Sequence, residues 1–401
     1  MNFTPDHTRL MRQFVSYAFR DMARLCATHG WNEGGCGTQE RLQNDLTPSP
    51  LGYRRGMVVG RQLFYFPHAY RLTADPLYKA RAEHLFEDLT THFWDDENGG
   101  WYFSLGEGND VADSTKDLYG HAFILFGLAH YFAIFQDDRA LEWVRRTNDI
   151  VQDRFSLPEG WLAPAATREW NLLGRNLEQN PHMHLLEAYL SLFNATRDDA
   201  FLDCARRIMA VYTEKLRTPD RRKVLEHLDE RGEARGEKGT LIQPGHLYEW
   251  YWLVNEYADA AKVPELKTDN GLTLDWADEH CVDESEGGLF DLVNSSADIL
   301  SDRKRIWPTT EQIKAYATRL RENPTEEARE KLMGPIAFIL DNYRRDGGSW
   351  HEFLNRQLAP DSDFMPLSTP YHVAMAALEV ERLLGGPGAF GMTASDPFEF
   401  E

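Results

Sequence analysis

Apolar residues recur at intervals of three and four along most of the chain, the period of helices that bury one face. Three segments show this as amphipathic helices: DPLYKARAEHLFEDLTTHFW (75–94), DDAFLDCARRIMAVYTEKL (198–216) and NPTEEAREKLMGPIAFILDNYRR (323–345). Four other predicted helices carry a proline just inside their start: NPHMHLLEAYLSLF (180–193), QPGHLYEWYWLV (243–254), WPTTEQIKAYATRL (307–320) and TPYHVAMAALEV (369–380). Proline suits the first helical position, because its φ is already helical and its missing N–H would have no partner there. Asn180 and Thr369, each just before a proline, have the side chains of N-caps. The segment HAFILFGLAHYFAIF (121–135) is the most apolar. With two histidines and too few residues to cross a bilayer, it is expected to be a buried helix.

The prolines Pro181, Pro244, Pro308 and Pro370 are separated by 63, 64 and 62 residues. The same interval upstream reaches DSTKDLYGHAFILF near 113 and YRRGMVVGRQLFYF near 53, which also open helical patterns and bring the count to six units. Before each start lies a glycine turn, often followed by an aromatic: Gly34–Gly35, Gly99–Gly100–Trp101, Gly160–Trp161, Gly232, Gly287–Gly288 and Gly347–Gly348 near Trp350. Such turns predict short β-hairpins or structured loops. The expected architecture is all-α: an (α/α)6 barrel of six inner and six outer helices, with short hairpins at its mouth, filling residues 1–401 as one catalytic domain. An open α-solenoid is the alternative, but this repeat is longer than the usual helical ones.

In a closed barrel the first turns of the inner helices converge, and those turns carry uneven chemistry. After the four prolines come His184, His246, Glu311 and His372; on the upstream helices the comparable polar positions are Arg61 and Tyr119. His182 is expected to pack, because residues two apart on a helix point away from each other, and His68, His121 and His130 are expected in the core. His246 and Glu249 are spaced i, i+3, so the carboxylate is placed to hold the imidazole. The positive helix end disfavours the imidazolium of His246, which predicts a neutral general base that becomes an acid after taking a proton. His372 follows the same logic. The zinc signature H-E-x-x-H is absent, and His182 and His184 do not readily share an ion, so no metal is expected. Tyr53, Trp94, Trp101, Trp161, Trp170, Trp307 and Trp350 supply flat apolar faces suited to an uncharged sugar.

Charge sharpens that picture. With 43 Lys and Arg against 64 Asp and Glu, the net charge of −21 opposes phosphate backbones and anionic lipid. No nucleic acid or membrane partner is expected, and a neutral substrate suits the balance. Cys26, Cys36, Cys204 and Cys281 are far apart and form no C-x-x-C pair, which predicts reduced thiols in a cytoplasmic protein. The start MNFTPDHTRL lacks the pattern of a secretory signal.

The motifs NPHMHLLEA, PGHLYEW, WPTTEQIKA and PYHVAMAALE, preceded by RQLFYF and KDLYGHAF, resemble the N-acylglucosamine 2-epimerase superfamily over nearly the whole chain, in order and at matching spacing. The set is most similar to the D-mannose isomerase branch. The resemblance implies a cofactor-free sugar isomerase, monomeric or homodimeric, that interconverts D-mannose and D-fructose, or a related pair such as D-lyxose and D-xylulose. It implies His246 and His372 as catalytic residues and Arg61, Tyr119, Asn180, His184, Glu249 and Glu311 as substrate-binding ones. Trp307 and Trp350 are expected to join them through their indole faces. Arg235 is the nearest match to an arginine that the family carries before its G-H-x-x-E motif, and Met57 stands where relatives often have Trp. A sugar 2-epimerase is the alternative reading; an inverting glycoside hydrolase, using Glu249 and Glu311 as its two carboxylates, is the more distant one.

Overall fold

The computed structural model describes residues 3–35, 37–391 and 398–400, so Cys36 lies outside the described residues. Helix α1 (Pro5–Ser16) runs through a π-helical turn, Tyr17–Met22, into α2 (Ala23–Ala27), and the pair forms the first outer helix. Inner and outer helices then alternate. The inner ones are α3 (Gly56–Thr73), α5 (Leu118–Phe135), α7 (Gln179–Thr196), α9 (Pro244–Ala261), α11 (Ile306–Glu322) and α13 (Pro370–Leu383). The outer ones are α4 (Pro76–Asp88), α6 (Asp138–Arg154), α8 (Asp199–Val211), α10 (Glu265–His280) and α12 (Glu326–Phe338). Each inner helix packs against the next, and α13 packs against α3, so the ring closes as an (α/α)6 barrel rather than an open solenoid.

Local chemistry sets the turns at the closed end. Inner helices α3, α5 and α7 each stop at one left-handed residue, Ala74, Gln136 or Arg197. The aspartate that follows, Asp75, Asp137 or Asp198, caps the next outer helix by accepting the N–H of Leu77, Arg139 or Ala200. Helix α5 has the length and apolar composition of a membrane span, but 78% of that window is buried inside the barrel.

At the mouth, the short strand before each inner helix pairs antiparallel with a loop strand of the next unit. Tyr53–Arg55 pairs with Ser104–Gly106, Lys116–Asp117 with Ala165–Ala166, Leu177–Glu178 with His227–Leu228, and Lys304–Arg305 with Phe353–Leu354. Phe364–Pro366 returns to Arg41–Gln43 and joins the last unit to the first. The predicted hairpins are therefore only part of the mouth, since most pairs connect neighbouring units. Buried ion pairs brace two of these loops at equivalent places: Lys116 Nζ lies 3.0 Å from Asp95, and Lys304 Nζ lies 2.9 Å from Asp283.

Two details correct the sequence reading. Pro244 and Pro370 open their helices, but Pro181 and Pro308 are third residues. The cap position of α7 is Glu178, so Asn180 is helical. A proline costs little at any of these places, because the first four N–H groups of a helix have no intrahelical partner. Thr369 does sit at the cap position of α13, but its hydroxyl donates to Glu352 Oε2 at 2.8 Å instead of capping the helix.

Helices α3 and α5 approach each other closely through two glycines. A Cβ on Gly127 would lie 2.4 Å from the Gly60 carbonyl oxygen, and one on Gly60 would lie 2.5 Å from the Phe123 oxygen. Alanine normally stabilises a helix interior by about 0.5–1 kcal/mol over glycine. We predict the reverse for Gly127→Ala, a loss of about 2–3 kcal/mol by overpacking. Urea denaturation measures it, and unchanged or raised stability would show that the two helices can separate freely.

Candidate active site

The first turns of the inner helices surround a cavity of about 350 Å³, within the range usual for small-molecule sites. Arg61, Tyr119, Asn180, Glu226 and Arg305 line it, with Met57 and Pro181 as apolar wall. Two of its arginines are already paired: Arg55 Nε donates to Glu40 at 2.7 Å and Arg305 Nε to Glu352 at 2.9 Å. Arg61 differs, because its guanidinium donates to neutral groups, Ser368 O at 3.1 Å and Tyr119 Oη at 2.7 Å. Its charge is left to act on whatever occupies the cavity. Asn180 Oδ1 is buried and has no hydrogen-bond partner.

His246 and His372 both pack against one indole. The ring of Trp307 lies 5.0 Å from the His246 ring and 5.4 Å from that of His372, centroid to centroid. Gly245 makes room for this indole, since a Cβ there would lie 2.3 Å from the Trp307 ring. Each imidazole is held at Nδ1 by a buried glutamate, His246 by Glu226 at 2.9 Å and His372 by Glu311 at 2.8 Å. Nε2 is then the nitrogen left for proton transfer.

The two environments differ in sign. Burial pulls His246 downward, but the Glu226 carboxylate, aided by Glu249, outweighs it and raises the imidazole above its ordinary value. This is the opposite direction from the one the helix end predicts. The acid that holds His246 is Glu226 rather than Glu249. For His372, burial and then the charges of Arg61 and Lys314 act together, and the imidazole is held well below its ordinary value. Behind Glu226, Gln179 Nε2 donates to Oε2 at 2.9 Å, and Gln179 Oε1 accepts the Trp250 indole N–H at 2.7 Å. An indole nitrogen only donates, so this contact fixes the amide's orientation.

His184 and Glu249 are outside the cavity lining and sit among buried charges. His184 Nδ1 is 3.1 Å from Glu187 and 3.9 Å from Glu249, and burial pushes the imidazole down to about 3. Tyr371 donates its hydroxyl to Glu187. His184, Glu187 and Glu249 place possible ligand atoms within 4.8 Å of one another. The Lys314 ammonium, 3.5 Å from Glu249 Oε1, already supplies positive charge at that trio.

Two expected residues lie elsewhere. Trp350 is fully buried and donates its indole N–H to Glu352, which braces the loop before α13 instead of lining the cavity. Arg235 is exposed on its loop and paired with Glu233 and Asp229, because those acids are its near neighbours in the chain. His121 and His182 are scaffold, as expected for His121 from its apolar segment and for His182 from its place two residues before His184. Nε2 of each accepts a loop backbone N–H, from Trp101 or Leu162, and Nδ1 donates to the carbonyl of Asp117 or Glu178.

The sequence reading missed Glu226, Gln179, Glu187, Lys314 and Arg305. Glu187 and Lys314 had a signal, since they stand three residues after His184 and Glu311. Glu226 had none, because pairing of His227–Leu228 with Leu177–Glu178 carries it across the mouth.

The model of the N-acylglucosamine 2-epimerase (GlcNAc 2-epimerase) family matches residues 37–376. The chain belongs to this family. A cellobiose 2-epimerase of Bacteroides fragilis is 28% identical over 233 residues, which is 54% of this chain and 59% of that protein. A mannose-6-phosphate isomerase of Rhizobium meliloti is 29% identical over 350 residues, covering 82% of this chain and 86% of its own length. The crystal structure of a D-mannose isomerase superposes with a TM-score of 0.87 at 20% identity, covering 95% of this chain and all 100% of that one. Family membership makes the protein a sugar epimerase or isomerase.

The Glu226–His246 pair yields a signed prediction. With the carboxylate removed in Glu226→Gln, burial dominates and the imidazolium is lost at lower pH. An NMR titration of His246 should move down by about one pH unit or more relative to wild type. An unmoved titration would mean that Glu226 does not set this histidine's charge.

Proposed function

We propose that this chain is a cofactor-independent aldose–ketose isomerase that interconverts D-mannose and D-fructose, with pairs such as D-lyxose and D-xylulose as related substrates. The observation that carries the reading is the pair of imidazoles that both pack against Trp307, each held at Nδ1 by a buried acid but in opposite electrostatic settings. His372 is the base and His246 the acid. His372 takes the proton from C2 of the opened aldose and returns it to C1, while His246 donates a proton to O1 and recovers one from O2. Both histidines end the turnover as they began. The cis-enediol carries developing negative charge, and the Arg61 guanidinium, whose hydrogen bonds go to neutral groups, is placed to stabilise it. Asn180, Tyr119 and Glu249 serve the sugar hydroxyls.

Epimerisation at C2 is the second reading, supported by the likeness to a cellobiose 2-epimerase. A two-base epimerisation leaves the proton on the opposite imidazole after each turnover and works best when the two are similarly basic. The opposed settings of His246 and His372 favour the single-base path. A neutral sugar is favoured over a phosphorylated one, because Arg55 and Arg305 are each already paired with a carboxylate.

Incubating D-mannose with the enzyme in D2O should give fructose, with deuterium at C1 only to the extent that the proton held on His372 exchanges with solvent; glucose deuterated at C2 would overturn the isomerase reading in favour of epimerisation. His246→Ala and His372→Ala should stay folded by circular dichroism and lose about 10²–10⁴-fold in kcat, the usual share of general acid–base catalysis. Wild-type turnover in either variant would remove that histidine from the mechanism.

A further inference from the structure

Lys314 lies on α11, three residues after Glu311, and is wholly buried. Its Nζ is 2.5 Å from Glu311 Oε2 and 3.5 Å from Glu249 Oε1 on α9, and it sits 4.0 Å from the centroid of the Trp252 ring. The other oxygen of Glu311 meets His372 Nδ1 at 2.8 Å. One line of contacts thus crosses from α13 through α11 to α9. An ammonium group withdrawn from water is costly unless carboxylates surround it. Here it lies behind the two acids, away from the residues that line the cavity.

We propose that Lys314 is a positioning residue for the proton-transfer step: its ammonium pins the Glu311 carboxylate against His372 and holds Glu249 on its other side, fixing the base without touching the sugar. The inference rests on the proton-transfer reading of His372 and deepens it. The charged and titratable groups that act on or touch His372 are Arg61 on α3, His184 on α7, Glu311 and Lys314 on α11, and the neighbouring Tyr371 on α13 itself. Arg305, just before α11, adds a further cation. Among these, Lys314 has a double effect on His372, since it repels an imidazolium and also occupies the charge of the carboxylate that would stabilise one. Without it, Glu311 would face His372 alone and the imidazole would take a proton at higher pH.

The test compares Lys314→Met with Lys314→Arg, which keeps the charge. Lys314→Met should lower kcat about 10²-fold with KM changed less than about threefold, and should move the acidic limb of the kcat profile up by about one pH unit. Lys314→Arg should leave that limb near its wild-type position. The titration of His372 by NMR, made without any sugar, should move as the limb does. A wild-type His372 titration in Lys314→Met overturns the proposal, whatever the turnover. Because that readout needs no substrate, a wrong sugar or an epimerase outcome fails separately, in the D2O experiment. Should Lys314→Met not fold, Lys314→Gln is read by the same criteria. In the wild-type protein His372 must titrate well below its ordinary value, and titration at that ordinary value of about 6.5 overturns the proposal without any variant.

Discussion

Six inner helices point their N-terminal ends at one small volume, and every one of those ends carries partial positive charge and unpaired N–H groups. The mouth can be stable only if acids and acceptors gather there, and they do. Asp117 caps α5, Glu178 sits before α7, Glu226 accepts the N–H of Gln243 at the start of α9, and Glu352 lies between the starts of α11 and α13. Those carboxylates then become the partners of Arg305, His246 and Thr369. The chemistry of the site is in this sense a consequence of closing the barrel.

Convergence also explains how one residue type takes two jobs within a single turn. His182 and His184 are two residues apart on α7. One is turned outward to the loop, where it accepts Leu162 N–H and tethers the mouth, and the other is turned inward onto Glu187 and the ring of Tyr119. His121 repeats the tether on α5. Lys116 and Lys304 repeat a second device, an ammonium just before an inner helix that is locked to the aspartate of a glycine turn. Repetition supplies the frame, and departures from it at His246, Glu311 and His372 supply the chemistry.

The site's asymmetry comes from what stands behind each histidine. Glu226 arrives from a loop and brings a negative charge to His246, whereas Glu311 reaches His372 with its charge already shared with Lys314. Two imidazoles on the same indole thereby differ in basicity.

The repeat, the alternation of inner and outer helices, and which first turns carry histidine, glutamate and arginine were legible along the chain. These follow from short-range rules: the period of apolar residues, the mechanics of proline and glycine, and spacing along one helix. The scaffold place of His121 and His182 was legible too, because their settings are local. It took the closed ring to show that Glu226 rather than Glu249 holds His246, that both histidines pack against Trp307 while Trp350 is buried and bonded to Glu352, and that Arg235 turns to its own loop's acids. Those pairings join segments from different units, and no pattern within a helix encodes the distance between them. The charge of each imidazole depends on that distance, so the division between acid and base became legible only once the ring had closed.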